Sequence, residues 1–201
     1  MRRFGLEPNS VETVLISHLH GDHFGGLPFL LLDAYFVSRR SRLTIAGPPT
    51  LASRLHALRE AMFPGSADIE LRFPLDLVEL GPEESVDVNG IQVMPLPVRH
   101  PSGAPSFALR CEIDGATLCY SGDTEWVEAL VRAAQSADMF IAESYTFERS
   151  VPFHTRWLTL RDHLPEINAK RVLLTHMSTE MLEHKPVQGA EFAEDGMVLE
   201  M

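Results

Sequence analysis

A chain of 201 residues can bury the core of one domain, and its 45% hydrophobic and 22% charged residues are ordinary for a globular protein. The formal net charge of −11 argues against a general nucleic-acid-binding surface, which normally needs a basic face. The N-terminal arginines are not followed by an apolar segment, and the longest apolar run, residues 27–37, is far shorter than the roughly 20 residues of a membrane span. We therefore expect a soluble, cytoplasmic protein that does not bind membranes.

Periodicity predicts strands that alternate with helices, followed by hairpins. Apolar runs and alternations predict strands at 12–17, 42–46, 69–73, 76–80, 85–88, 91–98, 106–113, 116–121, 139–142 and 171–175. Helical spacing or long apolar segments predict helices at 27–37, 50–62, 126–134 and 158–167, and residues 197–199 predict a last strand. Turn residues at 89–90 and 114–115 predict two hairpins. This order favours one α/β domain with mixed sheets, covering residues 1–201.

The chain has two cysteines, which flank the turn at residues 114–115. A two-residue hairpin would set Cys111 opposite Leu118 and Cys119 opposite Arg110. The two sulfur atoms would then point to opposite faces of the sheet, because neighbouring residues of a strand alternate. We expect no disulfide, which agrees with a reducing compartment.

The densest group of chemically active side chains follows the first predicted strand, where residues 18–23 read His-Leu-His-Gly-Asp-His. In an extended segment, residues i and i+2 point to the same side, so His18 and His20 can face one metal ion. Asp22 and His23 follow a glycine, where the chain can turn toward a second ion. Imidazole and carboxylate are the usual ligands of zinc and similar metals.

This His-x-His-x-Asp-His motif resembles the signature of the metallo-β-lactamase fold superfamily, and the segments 121–124 (Ser-Gly-Asp-Thr) and 174–178 (Leu-Thr-His-Met-Ser) resemble its later motifs. The resemblance implies an αββα sandwich of two mixed sheets with helices outside. It also implies two metal sites, with Asp123 bridging both ions. The first ion would be bound by His18, His20 and His100, and the second by Asp22, His23 and His176.

A bridging aspartate, rather than a cysteine ligand, resembles the ribonuclease Z and cyclic-phosphodiesterase branch of the superfamily. Two divalent ions about 3.5–4 Å apart can lower the pKa of a shared water toward 7, and the hydroxide would attack phosphorus in line. Asp22 would orient or deprotonate this nucleophile. His154 would protonate the leaving oxygen, the alternative being an ordinary loop histidine. Glu143 and Tyr145 are interpreted as structural parts of the pocket wall. Zinc is the default ion, with manganese or iron as alternatives.

Two departures from the superfamily pattern limit this interpretation. Only 17 residues precede His18, so we expect an N-terminally shortened fold that lacks the first strands of its N-terminal sheet. An open sheet edge predicts lowered stability or association into a homo-oligomer. Only 22 residues separate His100 from Asp123, which leaves no room there for the tRNA-binding arm of ribonuclease Z enzymes. Precursor tRNA is therefore a poor substrate candidate.

The leading hypothesis is a dinuclear metal-dependent hydrolase of a small anionic ester, namely a small phosphodiester such as a cyclic nucleotide or cyclic sugar phosphate. A hydrolase of a thioester, lactone or sulfate ester could use the same site. A third hypothesis is a truncated homologue that binds metal without catalysis. The shape of the pocket, which is not evident from the sequence, would distinguish a phosphodiesterase from a hydrolase of the other esters.

Overall fold

The structure is a computed structural model and describes residues 1–200, which form two β-sheets and six α-helices. The strands are β1 Thr13–Leu15, β2 Leu43–Gly47, β3 Leu75–Glu79, β4 Val86–Val88, β5 Ile91–Val98, β6 Ser106–Ile113, β7 Ala116–Tyr120, β8 Met139–Glu143, β9 Val172–Thr175 and β10 Glu191–Phe192. The helices are α1 Gly21–Phe24, α2 Leu27–Phe36, α3 Leu51–Met62, α4 Ala129–Ala134, α5 Trp157–Ile167 and α6 Thr179–Glu183.

The two sheets differ in size and in strand direction. The smaller sheet has the order β1-β2-β3, and both of its strand pairs are parallel. The larger sheet has the order β10-β9-β8-β7-β6-β5-β4, with antiparallel pairs from β4 to β7 and parallel pairs from β7 to β10. The predicted mixed arrangement therefore holds for the larger sheet, whereas the smaller sheet is parallel between residues 13 and 79.

Strand alternation divides the core into three parts and gives the predicted four layers. Ile45 lies in the core beneath α2 and α3, and its neighbour Ala46 lies in the core between the sheets together with Phe107. Ala108, which follows Phe107, lies in the core beneath α4 and α5. Because successive side chains of a strand point to opposite faces, each sheet contributes to two cores. The predicted αββα sandwich is thus confirmed.

The second hairpin has the predicted register, with Cys111 opposite Leu118 and Cys119 opposite Arg110. Cys111 packs in the core between the sheets, and Cys119 packs on the helix side of the larger sheet. Both cysteines are free. The prediction that their sulfur atoms point to opposite faces is confirmed.

Three predicted elements were wrong. Residues 69–73 form no strand, because their apolar side chains cover the core from a loop, where Phe73 is buried. Residues 197–199 form no strand either; the last strand is instead β10, which pairs with β9. The helix predicted at 126–134 begins only at Ala129, because the preceding residues form the loop that carries the bridge between Arg99 and Glu125.

Strand β1 forms one edge of the smaller sheet. The expectation of an N-terminally shortened fold stays a prediction. Within residues 1–200, no helix has both the length and the apolar character needed to cross a membrane.

Strand direction in the larger sheet determines where the site can form. Strand β5 runs antiparallel to β6, and β6 runs antiparallel to β7, so β5 and β7 point the same way. Strands β8 and β9 continue parallel to β7. The carboxyl ends of all four strands therefore lie at one edge of the sheet, and His100, Asp123, Glu143 and His176 lie at or just beyond those ends.

Candidate metal centre

The segment after β1 changes from extended to helical within six residues. The Ile16 amide donates to the Ala46 carbonyl at 2.8 Å, which continues the strand pairing, and His20 is still extended, with φ −81° and ψ 154°. Helix α1 then begins at the following glycine and carries Asp22 and His23 in its single turn. The extended part therefore directs His18 and His20 to one cluster of side chains. The helical turn directs Asp22 and His23 to a second cluster.

The first cluster contains His18, His20 and His100, whose facing ring nitrogens all lie within 4.8 Å of one another. His100 Nε2 lies 3.0 Å from His20 Nδ1. His100 Nδ1 donates to the Phe153 carbonyl at 3.0 Å. Because a carbonyl can only accept, a neutral His100 ring has its free lone pair on Nε2, inside the cluster.

Burial keeps two histidines of the first cluster, His18 and His100, in the protonation state that metal binding requires. His18 has no exposed surface, and its Nδ1 is 3.1 Å from the Ser17 hydroxyl, which leaves Nε2 facing the cluster. Burial, together with the neighbouring histidines, lowers the pKa of His18 to about 3. Burial also lowers the pKa of His100. Neutral imidazole is the form that donates a lone pair to a cation.

The second cluster contains Asp22, His23, Asp123 and His176. The Asp22 Oδ2 atom lies 3.4 Å from Nε2 of both His23 and His176. Asp123 is buried and lies between the clusters, because its Oδ2 is 3.3 Å from His23 Nε2 and 3.8 Å from His18 Nε2. The same oxygen is 3.5 Å from Nε2 of His176 and 3.9 Å from Nε2 of His100.

Gly122 allows Asp123 to occupy this position. Its φ of +59° is in the left-handed region, and a Cβ atom there would lie 2.8 Å from the Phe107 carbonyl oxygen and 3.0 Å from the Ser17 Cβ. A side chain at residue 122 would therefore push the loop away from both neighbours. The sequence analysis included Asp123 but did not identify this requirement at the residue before it.

The chemistry of the two clusters fits divalent metal ions. Three buried atoms, His18 Nε2, His23 Nε2 and Asp123 Oδ1, have no hydrogen-bond partner. Leaving buried polar atoms unpaired destabilises a fold, so such atoms call for an explanation. All three belong to side chains that ligate zinc and similar cations, and the structure brings together all seven predicted metal ligands. A cation in each cluster would satisfy the unpaired atoms.

Glu143 has a larger role than the structural one expected from the sequence. It is buried, and its Oε1 accepts hydrogen bonds from Nδ1 of His176, at 3.1 Å, and from Nδ1 of His154. Its Oε2 accepts from the amides of Thr124 and Thr155 at 2.9 and 3.3 Å. One fixed carboxylate thus orients a candidate ligand and the candidate acid. Its place directly after a predicted strand, like that of His176, was the available sequence signal.

The same carboxylate sets the charge of both histidines. Its hydrogen bond raises the pKa of His176 to about 9, so a cation that binds Nε2 of His176 at neutral pH must displace a proton. Its hydrogen bond also raises the pKa of His154 above the ordinary value, which favours the protonated imidazole. The centre of the His154 ring lies 5.1 Å from that of His100 and 5.7 Å from that of His176. A proton donor therefore borders the ligand clusters.

Comparison with solved structures identifies the fold. The short form of human tRNase Z is 26% identical and superposes with a TM-score of 0.77 over 97% of this chain and 81% of its own. YhfI from Bacillus subtilis, a metallo-β-lactamase fold protein, is 18% identical and superposes with a TM-score of 0.75 over 98% of this chain and 82% of its own. The protein thus has the metallo-β-lactamase fold, and it contains two clusters of candidate metal ligands.

Comparison of amino-acid sequences identifies the family to which the chain belongs. The family model described as Anti-Pycsar protein Apyc1 matches residues 1–199, and the chain belongs to this family. An uncharacterized protein of Mycobacterium tuberculosis is 32% identical over 198 residues, covering 96% of this chain and 71% of the relative. A ribonuclease Z of Methanothermobacter thermautotrophicus is 25% identical, covering 87% of this chain and 72% of the relative. The predicted resemblance to the ribonuclease Z branch is confirmed.

Proposed function

We propose that the protein is a dinuclear metal-dependent hydrolase that cleaves a small phosphodiester. The observation that carries the proposal is the pair of clusters, one of three histidines and one of two aspartates and two histidines, with the Asp123 carboxylate between them and a histidine held by a buried glutamate beside them. The similarity to ribonuclease Z, whose name describes cleavage of a phosphodiester polymer, supports the same class of bond. We propose zinc as the ion, with manganese or iron as alternatives, because histidine and aspartate also bind those ions.

The proposed roles follow from position and protonation. Divalent ions bound at the two clusters would acidify a water molecule and neutralise charge on the substrate phosphate. Asp22 is exposed at the cluster edge, where its carboxylate can orient the attacking water and accept its proton. His154 donates a proton to the leaving oxygen, and Glu143 holds its ring in place and favours its protonated form. Proton removal and proton delivery are thus assigned to different residues.

Two observations favour a small substrate over precursor tRNA. The 22 residues between His100 and Asp123 consist mainly of β6, β7 and their short hairpin, so no arm extends from this part of the chain. The net charge of −11 also opposes binding of a long polyanion. Cyclic nucleotides and cyclic sugar phosphates are therefore the first substrates to test. Efficient cleavage of tRNA 3′ ends by the pure protein would contradict this choice.

The test combines metal content with hydrolysis of bis(p-nitrophenyl) phosphate. We expect about two metal ions per chain and measurable turnover. Asp123→Ala should lose turnover and bound metal together, because its carboxylate lies between both clusters. Asp162→Ala, which changes an exposed aspartate on α5, is the matched control and should behave like the unmodified protein. Metal binding without turnover would instead favour a non-catalytic metal-binding protein.

A further inference from the structure

The loops that carry His100 and Asp123 come from strands that are not neighbours in the larger sheet. His100 follows β5 and Asp123 follows β7, and both of these strands pair with β6, which lies between them. The ladders of the sheet therefore do not join one loop directly to the other. The Asp123 Oδ2 atom nevertheless lies 3.9 Å from His100 Nε2. The relative position of these two predicted ligands depends on contacts beyond the strand ends.

The two loops meet at an antiparallel bridge between Arg99 and Glu125, in which the Glu125 amide donates to the Arg99 carbonyl at 3.3 Å. In a regular hydrogen-bonded pair, the Arg99 amide would return a bond to the Glu125 carbonyl. Here it donates instead to the Thr124 hydroxyl at 3.1 Å, and this hydroxyl donates to the Glu125 carbonyl at 2.6 Å. Because Arg99 precedes His100 and Thr124 follows Asp123, the hydroxyl connects the two ligand positions.

Burial makes the hydroxyl of Thr124 difficult to replace. The residue has no exposed surface, so water cannot substitute for its hydrogen bonds. Valine has nearly the same shape as threonine but carries a methyl group in place of the hydroxyl. It would leave the Arg99 amide and the Glu125 carbonyl without their shared partner, and an unpaired polar group away from water destabilises its surroundings. The bond between the two loops therefore depends on the hydroxyl itself.

The main chain of Thr124 holds the other side of the site. Its amide donates to Glu143 Oε2 at 2.9 Å, and its carbonyl accepts from the Thr155 hydroxyl at 2.6 Å. Thr155 directly follows His154, the proposed acid. The main chain thus fixes the Asp123 loop against the end of β8 and the loop of the acid, whereas the side chain fixes it against the loop after β5. A side-chain substitution at this position separates the two sets of contacts.

We propose that Thr124 is a positioning residue, whose hydroxyl holds His100 in place relative to Asp123 so that the first cluster binds a divalent cation tightly. It acts through the main chain of Arg99, the residue before the ligand. Groups that orient metal ligands usually do so by bonding to the ligand side chain, and here the bond is made to the main chain beside it. This inference deepens the proposed function and rests on it, because the hydrolase needs both clusters to bind metal.

The first test uses the metal-free protein and measures hydrogen exchange of the Arg99 amide by NMR. The amide should exchange slowly although the Arg99 side chain is 69% exposed, because its acceptor is a buried hydroxyl. Exchange should become about tenfold faster in Thr124→Val, which removes the acceptor. Thr124→Ser, which retains the hydroxyl, should stay within about threefold of the unmodified protein. Rapid exchange of this amide in the unmodified protein would overturn the proposal.

The second test is a zinc titration followed by the imidazole NMR signals of His100 and His23, which report on the two clusters separately. In Thr124→Val, the zinc concentration that half-saturates the His100 signals should rise about tenfold. The value for His23 should change less than about twofold, because the main-chain bonds that hold the Asp123 loop remain. Thr124→Ser should bind zinc like the unmodified protein. Thr44→Val, which changes a buried threonine of β2, is the matched control and should also leave zinc binding unchanged.

The outcomes separate this inference from the proposed function. Unchanged zinc affinity at His100 in Thr124→Val, or an equal loss in Thr124→Ser, would overturn the positioning role and leave the hydrolase standing. If the unmodified protein binds zinc but hydrolyses no phosphodiester, the proposed function fails, while a weaker His100 site in Thr124→Val still supports the role of the hydroxyl. Should Thr124→Val not fold, the exchange of the Arg99 amide in the unmodified protein and in Thr124→Ser decides.

Discussion

At the scale of single residues, two histidines depend on the buried carboxylate of Glu143 for their orientation. Its hydrogen bonds orient His176, a candidate ligand, and His154, the proposed acid. Mutating a residue that orients a metal ligand typically lowers metal affinity or activity about 10–100-fold. The carboxylate is itself fixed by two backbone amides, so it has little freedom to follow either ring.

Glu143→Gln retains the shape of the side chain and removes its charge. We expect metal affinity and hydrolysis to fall about 10–100-fold, because neither histidine is then oriented by a carboxylate. Titration with zinc and initial rates on bis(p-nitrophenyl) phosphate would measure both effects. Glu148→Gln changes an exposed glutamate in the loop that follows β8 and is the control. Unchanged affinity and rate would show that Glu143 only fills the pocket wall.

His154→Ala separates proton donation from metal binding. We expect the rate to fall about 10²–10⁴-fold, the usual contribution of a general acid, while the metal content stays the same. His56→Ala, which removes an exposed histidine on α3, is the matched control. Because His154 also belongs to a third group of potential ligands with Asp123, Glu143 and His176, a parallel loss of metal would reassign it as a ligand.

At the scale of elements, the site depends on strands that end at one edge of the larger sheet. Strands β5, β7, β8 and β9 point the same way, so single residues at their ends converge even though they are far apart in the chain. The loop after β1 adds the remaining ligands from the smaller sheet. Rigid strands with short functional loops are a common way to position a site.

Gly122→Ala tests how tightly the loop after β7 is held. Gly115→Ala is the matched control, because both glycines have positive φ but a Cβ at Gly115 would meet open space. The control should lose about 1–2 kcal/mol of unfolding free energy from backbone strain alone. Gly122→Ala should lose about 1–3 kcal/mol more, because its Cβ collides with the Phe107 carbonyl and with Ser17. Equal losses in urea unfolding would show that the loop can relax.

At the scale of the whole molecule, bound metal would connect the two sheets. His18, His20, Asp22 and His23 follow β1 of the smaller sheet, whereas the remaining ligands follow strands of the larger sheet. Because the candidate ligands come from both sheets, they lie close together only in the folded chain, so a cation would bind the folded chain in preference to the unfolded one. Metal binding should therefore stabilise the fold as well as the site.

Removing the metal with a chelator should lower the melting temperature. At a hundredfold excess over the dissociation constant, a bound ion contributes about 2.7 kcal/mol, or roughly 5–10 °C for a chain of this size. Thermal melts with zinc and with EDTA would measure the shift. Asp123→Ala should melt at the same temperature under both conditions. An equal zinc effect on both proteins would show that the ions bind elsewhere.

The sequence was enough to predict most elements and, through the resemblance to the superfamily, the candidate ligand set. Apolar periodicity predicted β5 and β6 with their observed bounds, and the turn residues predicted the register of the second hairpin. Local chemistry also marked His18, His20, Asp22 and His23, because four potential ligands lie within six residues. These features depend on neighbours along the chain, so a single sequence contains them.

Only the tertiary structure decided which distant residues meet. His100 and His20 are 80 positions apart, yet their ring nitrogens are 3.0 Å apart, because strand order rather than sequence spacing brings them together. The apolar pattern at 69–73 predicted a strand, whereas packing made it a loop that covers the core. The role of Glu143 likewise depends on contacts between the end of β8 and residues of two later loops. Apolar periodicity indicates which side of a helix or strand is buried, but it does not indicate which residues that side packs against.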